Sequence, residues 1–286
     1  NLVFIRLMKD ISQFYTMEVP GAAELIANSK DSRRQAYLEK FAQQEGDQFL
    51  HQFYQLYKPL NDEEKLEKLA KRSRKTAYRL TMAFRSVKPS SDIDELREFL
   101  ALRMADDFPA DHEINHLYKK YSYDSFNSSD RAYISKVHPL ELWLVRHLLE
   151  NPDTNYSEIS RISKSEKLDA YKWLFKPHKV TAQNKRIKIL LEQEAFSAIH
   201  QQWQETGYPF SSLVPSFASA LGASADRPAA LAELMGIIIN GGIKKPMRQI
   251  ARLTFAEDTP YETVFDLEEQ SYPRVLSSEL CEIVQE

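Results

Sequence analysis

Glycine is the residue that most limits what this chain can become. Only seven of its 286 residues are glycine, and five of them (Gly207, Gly222, Gly236, Gly241, Gly242) fall within one stretch of 36. Ordinary usage is about 7%. Sandwiches and barrels of β-strands need a turn roughly every 8–12 residues, and many of those turns need positive φ. A chain so poor in glycine is therefore mainly α. The uneven distribution also divides it: a long glycine-poor part, then a part with different rules that starts near Gly207.

Spacing of apolar residues supplies the helices. Leu2, Ile5, Met8, Ile11 and Tyr15 recur at intervals of three to four, as do Leu38, Phe41, Phe49, Phe53 and Leu56. Helix openings are marked by acidic and amide residues at Asn61-Asp62-Glu63-Glu64, at Ser91-Asp92, at Pro109-Ala110-Asp111 and at Ser128-Ser129-Asp130. Pro139 opens an apolar run at the first turn, where its missing N–H costs least. Further runs cover 156–175 and 180–205. After Thr206-Gly207-Tyr208-Pro209 small residues take over. Pro228 starts a helix that stops at Asn240-Gly241-Gly242. Alternation over 247–255 predicts a strand, and 276–285 a closing helix.

Hydrophobic residues at 43% and charged residues at 28% suit a soluble chain with a real core. Length alone suggests about two domains. A balance of 38 basic against 41 acidic residues, net −3, gives no global field for nucleic acid or anionic membrane. No apolar run reaches the ~18 residues that cross a bilayer. Cys281 has no second cysteine to pair with and is expected on the apolar face of a helix. The chain opens on Asn1 inside an apolar run, so a trimmed chain or fragment is expected, and the lack of a leader says nothing of the parent.

Three kinds of chemistry can be weighed. His112-Glu113-Ile114-Asn115-His116 matches H-E-x-x-H, whose imidazoles one helical turn apart share a zinc while the glutamate activates its water. The extended form is missing, with Lys119 and Ser122 where glycine and a third histidine would stand, and Glu141 is one of several candidate third ligands. The competing reading is a solvated helix start. Lys65, Lys68, Lys71, Arg72, Arg74, Lys75 and Arg79 form a basic run, and 139–176 can be read as a helix-turn-helix for nucleic acid. Asp62, Glu63, Glu64 and Glu67 dilute that field, and the expectation is no nucleic-acid partner. For nucleophilic catalysis, no serine is followed three residues later by lysine, and there is no Lys-Thr-Gly, serine elbow or phosphate-binding glycine loop.

The glycine-bearing segment, from Ala220-Leu221-Gly222 through Pro228 and the Ala/Leu/Glu-rich run to Asn240-Gly241-Gly242 and Pro246, resembles the transpeptidase domain of class A penicillin-binding proteins, the bifunctional glycosyltransferase/transpeptidase enzymes. Arg227 and Ile239 depart from that pattern, where threonine and alanine are usual. Arg274-Val-Leu-Ser-Ser-Glu-Leu-Cys-Glu-Ile-Val resembles the helix before the family's Lys-Thr-Gly strand, and Asn1 with the apolar run behind it resembles the end of a Ser-x-Asn motif and its helix.

The resemblance implies three parts: 1–11 after a Ser-x-Asn-like motif, 12–205 as a multi-helical insertion, and 206–286 as a partial transpeptidase (α+β) segment. It implies a periplasmic parent anchored in the inner membrane that cross-links peptidoglycan by acyl transfer and polymerises glycan. Stem peptides and β-lactams would be that parent's ligands, and a cell-wall synthesis protein the insertion's partner. Nucleophile and base would lie outside this chain, leaving Asn1 as the one remnant of the site and no cofactor. The fragment alone is expected to be inactive, a scaffold or interaction surface.

Overall fold

The structure, a computed structural model, describes residues 6, 10, 21–73, 76–104, 107–216, 218–219, 227–248, 250, 252–266 and 271–286. Asn1, most of the helix expected over 2–18, and the Ala220–Asp226 stretch lie outside the described residues. The fold is mainly α. In chain order its helices are α1 (Ala22–Ala27), α2 (Arg33–Tyr57), α3 (Asp62–Arg72), α4 (Ala77–Val87), α5 (Ile93–Ala101), α6 (Asp111–Lys120), α7 (Ser128–Ser135), α8 (Pro139–Glu150), α9 (Tyr156–Ile162), α10 (Lys164–Ala170), α11 (Val180–Glu205), α12 (Pro228–Ile239) and α13 (Ser278–Gln285). Strands β1 (Arg252–Phe255) and β2 (Thr263–Asp266) form one antiparallel pair. No described helix is long and apolar enough to cross a membrane.

Two compact units emerge: Ser29–Ile187, and Asn1–Asn28 together with Lys188–Glu286. The division falls inside the expected 12–205 boundaries. At the downstream side the reason is visible, because α11 runs unbroken through residues 187 and 188 and its periodicity carries no mark of a border.

The unit Ser29–Ile187 is a helical body built around α4. Every residue from Leu80 to Val87 is buried, and α3, α5, α6, α7 and α8 all pack on this helix. A helix apolar on one face only could not take that place; Leu80, Met82, Ala83, Phe84 and Val87 spread apolar surface around its circumference. Against it lie Leu50, Phe53 and Tyr57 of α2, Leu66 and Leu69 of α3, Leu96 and Leu100 of α5, and Leu140, Leu144 and Leu148 of α8, in one continuous core. Helix starts are set by local chemistry. Asn61 accepts from Glu64 N at 2.9 Å while the Glu64 carboxylate accepts from Asn61 N, and Asp92 and Glu95 repeat that reciprocal cap. The two ends of the body meet: Arg34 Nη2, on the first turn of α2, donates to Gln183 (3.1 Å) and Asn184 (2.7 Å) on the first turns of α11.

In the other unit, Pro228 occupies the first position of α12 and the helix gives way at Asn240 to Gly241 (φ 60°) and Gly242 (φ 88°). The expected strand is shorter than 247–255, and β2, unforeseen in the sequence, pairs with it in the register Arg252↔Asp266 to Phe255↔Thr263. Both strands are exposed along their length, and Arg252 forms a two-pronged ion pair with Asp266 at 2.8 and 2.9 Å. Ser277 caps α13, which buries Cys281 as expected.

Candidate functional site

The H-E-x-x-H residues all lie on α6. His112, Glu113 and His116 are exposed, and the one buried residue of this helix is Ile114 between them. Glu113 Oε2 accepts from Ala110 N at 3.2 Å, so the carboxylate closes the start of its own helix. Among the described residues no group of three or more His, Cys, Asp or Glu side chains converges to hold a metal ion. Glu141, weighed as a third ligand, is fully buried and engaged elsewhere, with Tyr57 and Arg72.

The basic run is divided by the fold. Lys65 is buried and pairs with Asp62, Lys71 pairs with Glu67, and Arg72 turns to Glu141. Arg79 sits 5.3 Å from the centre of the Tyr78 ring, and Arg74 and Lys75 lie outside the described residues. Within 139–176, α10 is packed against α2, α7 and α8, where a recognition helix would have to stand free for a groove.

Two groupings that sequence reasoning missed stand out in the helical body. The first is the engagement of Glu141 itself. Its Oε1 accepts from Tyr57 Oη at 2.7 Å and meets Arg72 Nε at 2.6 Å; Oε2 is buried without a hydrogen-bond partner among the described residues. Burial pushes the Glu141 carboxyl up, and the Tyr57 hydroxyl and Arg72 oppose that rise. His138, at the cap of α8, accepts from Leu140 N at Nδ1 (3.2 Å) and stacks on Phe49 with ring centres 4.8 Å apart. Burial, and then the Arg72 charge, push its imidazole down to about 4. Residues separated by 84 positions, as Tyr57 and Glu141 are, leave no trace in local periodicity.

The second is a cleft of about 260 Å³ formed by α4, α7, α8, α10 and the 3₁₀ turn Tyr123–Ser125. Arg131, Arg146, Trp143, His147, Tyr123 and Glu166 line it. Tyr123 organises the cations: the guanidinium carbons of Arg131 and Arg146 lie 4.0 and 4.9 Å from its ring centre. Arg131 is fixed by three acceptors, Tyr123 O (3.2 Å), Phe126 O (2.5 Å) and Tyr123 Oη (3.3 Å). Arg146 Nε donates to Glu150 at 2.9 Å. Burial works against the Arg146 charge, but hydrogen bonding to Glu150 and Tyr123 outweighs it and raises its pKa. Burial and the neighbouring Asp169 push the Glu166 carboxyl up, against the pull of both arginines. Trp143 stacks on His147, ring planes 14° apart.

In the other unit, Gly207 and Gly242 meet the same short segment, Val275-Leu276. A Cβ built on Gly207 (φ 89°) would stand 2.7 Å from Val275 Cγ2, and one on Gly242 would overlap the Leu276 carbonyl. Gly242 O accepts from Val275 N (2.8 Å) and Leu276 N (3.3 Å), Lys244 N donates to Pro273 O (3.0 Å), and Ile243 bridges Arg274. Comparison of the chain with family models, curated proteins and solved structures returned no match.

Proposed function

We propose that this chain is part of a class A penicillin-binding protein, a transpeptidase segment interrupted by a helical insertion. The observation that carries the reading is the meeting of Asn240-Gly241-Gly242 with Arg274-Val275-Leu276. These are two of the stretches that resemble the family, they are some thirty residues apart, and backbone hydrogen bonds join them. Sequence likeness in two separate places has a structural rationale when the two places touch. The order of elements supports it further: a proline-started helix, a glycine turn, Pro246, a strand and a closing helix.

The body Ser29–Ile187 is the insertion in this reading. Its ends are tied by Arg34 to Gln183 and Asn184, which suits a domain set into a loop of another. Acyl transfer needs an activated nucleophile, a base and oxyanion donors; the first two belong to the parent outside this chain, and Asn1 would be the remnant of the site. The parent would be periplasmic and held in the inner membrane, cross-linking peptidoglycan, with the body as scaffold or as surface for a cell-wall synthesis partner.

The test is covalent labelling. The product of the complete reading frame is expected to form a denaturation-resistant adduct with a fluorescent penicillin, whereas the present chain alone is not. A complete product that lacks Ser-x-x-Lys before Asn1 and Lys-Thr-Gly after Glu286, or that takes no label, would end the proposal.

A further inference from the structure

The cleft of the helical body can be considered independently of the penicillin-binding reading. Two guanidiniums within 5 Å of one tyrosine ring centre lie no more than about 9 Å apart. Like charges this close repel, and an anion placed near both relieves that repulsion. Arg131 is immobilised by two backbone carbonyls and the Tyr123 hydroxyl, so its rotamer entropy is already lost before any ligand arrives. The Arg146–Glu150 pair is the kind that exchanges easily: one helical turn apart, with the Glu150 side chain about half exposed. Glu166 lines the same cleft within the field of both arginines, and is the carboxylate with which an incoming oxyanion competes. Trp143 adds an apolar plane to the wall, beside Pro139 and Leu142.

We propose that this cleft binds a small organic anion, its carboxylate or phosphate oxygens held between Arg131 and Arg146 and its flat apolar body laid against Trp143. Guanidinium forks match both oxyanions in geometry and charge. A volume of about 260 Å³ admits one small molecule and excludes a folded partner.

The test uses the whole chain with four probes: benzoate, phenyl phosphate, inorganic phosphate and, as the uncharged counterpart, benzamide. Binding is read by calorimetry and by the indole N–H resonance of Trp143. Benzoate or phenyl phosphate is expected to saturate with a dissociation constant in the millimolar range or below, and whichever of the two binds tighter identifies the oxyanion. Benzamide should be weaker by at least ~10-fold, and inorganic phosphate should leave the Trp143 resonance closer to its free position. Arg146→Gln should weaken the charged probes by ~10-fold or more, with circular dichroism confirming the fold. Glu166→Gln, which removes a competing carboxylate at constant shape, should strengthen them several-fold. The proposal fails if no probe saturates by about 50 mM, well above the millimolar range expected, if benzamide binds as well as benzoate, or if folded Arg146→Gln binds unchanged. Should Arg146→Gln not fold, Glu166→Gln decides alone: unchanged or weaker binding overturns the proposal.

Discussion

Gly242 and Leu276 are in direct backbone contact: the Gly242 carbonyl accepts from Leu276 N, and the Leu276 carbonyl occupies the space where a side chain on Gly242 would begin. Two requirements meet at that one residue, a φ of 88° and the absence of a Cβ. Gly242→Ala should therefore cost about 2 kcal/mol or more, seen as a lower urea midpoint and faster amide exchange in 273–276. Gly236 is the internal control. It lies in the last turn of α12 with nothing within 4 Å of a built Cβ, so Gly236→Ala should stabilise by up to about 0.5–1 kcal/mol. Equal effects of opposite expectation would remove the account given for this turn.

Tyr57→Phe deletes one of the two groups that satisfy Glu141 Oε1. The loss should be about 1–2 kcal/mol, because a buried carboxylate gives up one of two hydrogen-bonding partners while Arg72 stays in place. Because burial already raises the Glu141 carboxyl, the stability linked to it is full below the ordinary carboxylate pKa and is lost as pH rises through its folded value. Removing the hydroxyl raises that value further, so the Tyr57→Phe penalty should be larger at pH 8 than at pH 4. Denaturant unfolding of both proteins at the two values checks the sign.

His138 titrates in the opposite sense. Its folded pKa near 4 lies below the ordinary 6.5, so the stability it contributes is intact above pH 6.5 and is lost as pH falls toward 4. The swing is on the order of 3 kcal/mol. Nuclear magnetic resonance of the ring protons should give a midpoint well below 5, and His138→Asn, which keeps a side-chain acceptor at the cap, should flatten the dependence. A midpoint at 6.5 would contradict the burial described for this ring.

Zinc should not bind stoichiometrically to His112 and His116. Both are exposed on α6, and Glu113 already closes the helix start. The double variant His112→Ala, His116→Ala should shift stability by no more than about 0.5 kcal/mol. One equivalent of zinc retained by metal-free protein after titration would restore the metallopeptidase reading.

Much of the helical architecture is written locally. Asn61 and Asp92 mark their helices because their side chains reach N–H groups two or three residues away, and Pro139 and Pro228 announce theirs by fixed φ. Glycine scarcity gives the fold class for the same reason: a turn is a property of a few adjacent residues. What stays hidden depends on distance along the chain. Lys65 reads as one charge of a basic run and Glu141 as a candidate zinc ligand, yet both are buried, Lys65 paired with Asp62 and Glu141 held by Tyr57. Strand β2 is four residues long and exposed on both faces, too short and too evenly solvated for a period of two to appear. The cleft is the extreme case, since five separate elements contribute to it. Asn1 and the 220–226 stretch lie outside the described residues, so the resemblance there rests on sequence alone.

The clasp between Arg34 and Asn184, 2.7 Å, bears on how such a chain assembles. About 160 residues separate the two parts of the remaining unit. Unfolded, they form a long loop whose closure entropy the other unit must overcome. Once the body has folded and its ends are fastened, the same connection behaves as a link of a few residues. With closure entropy growing as (3/2)RT ln n, the difference is about 3 kcal/mol. Early folding of the helical body thus acts as a splint, lending the interrupted unit a continuity that its covalent chain does not have.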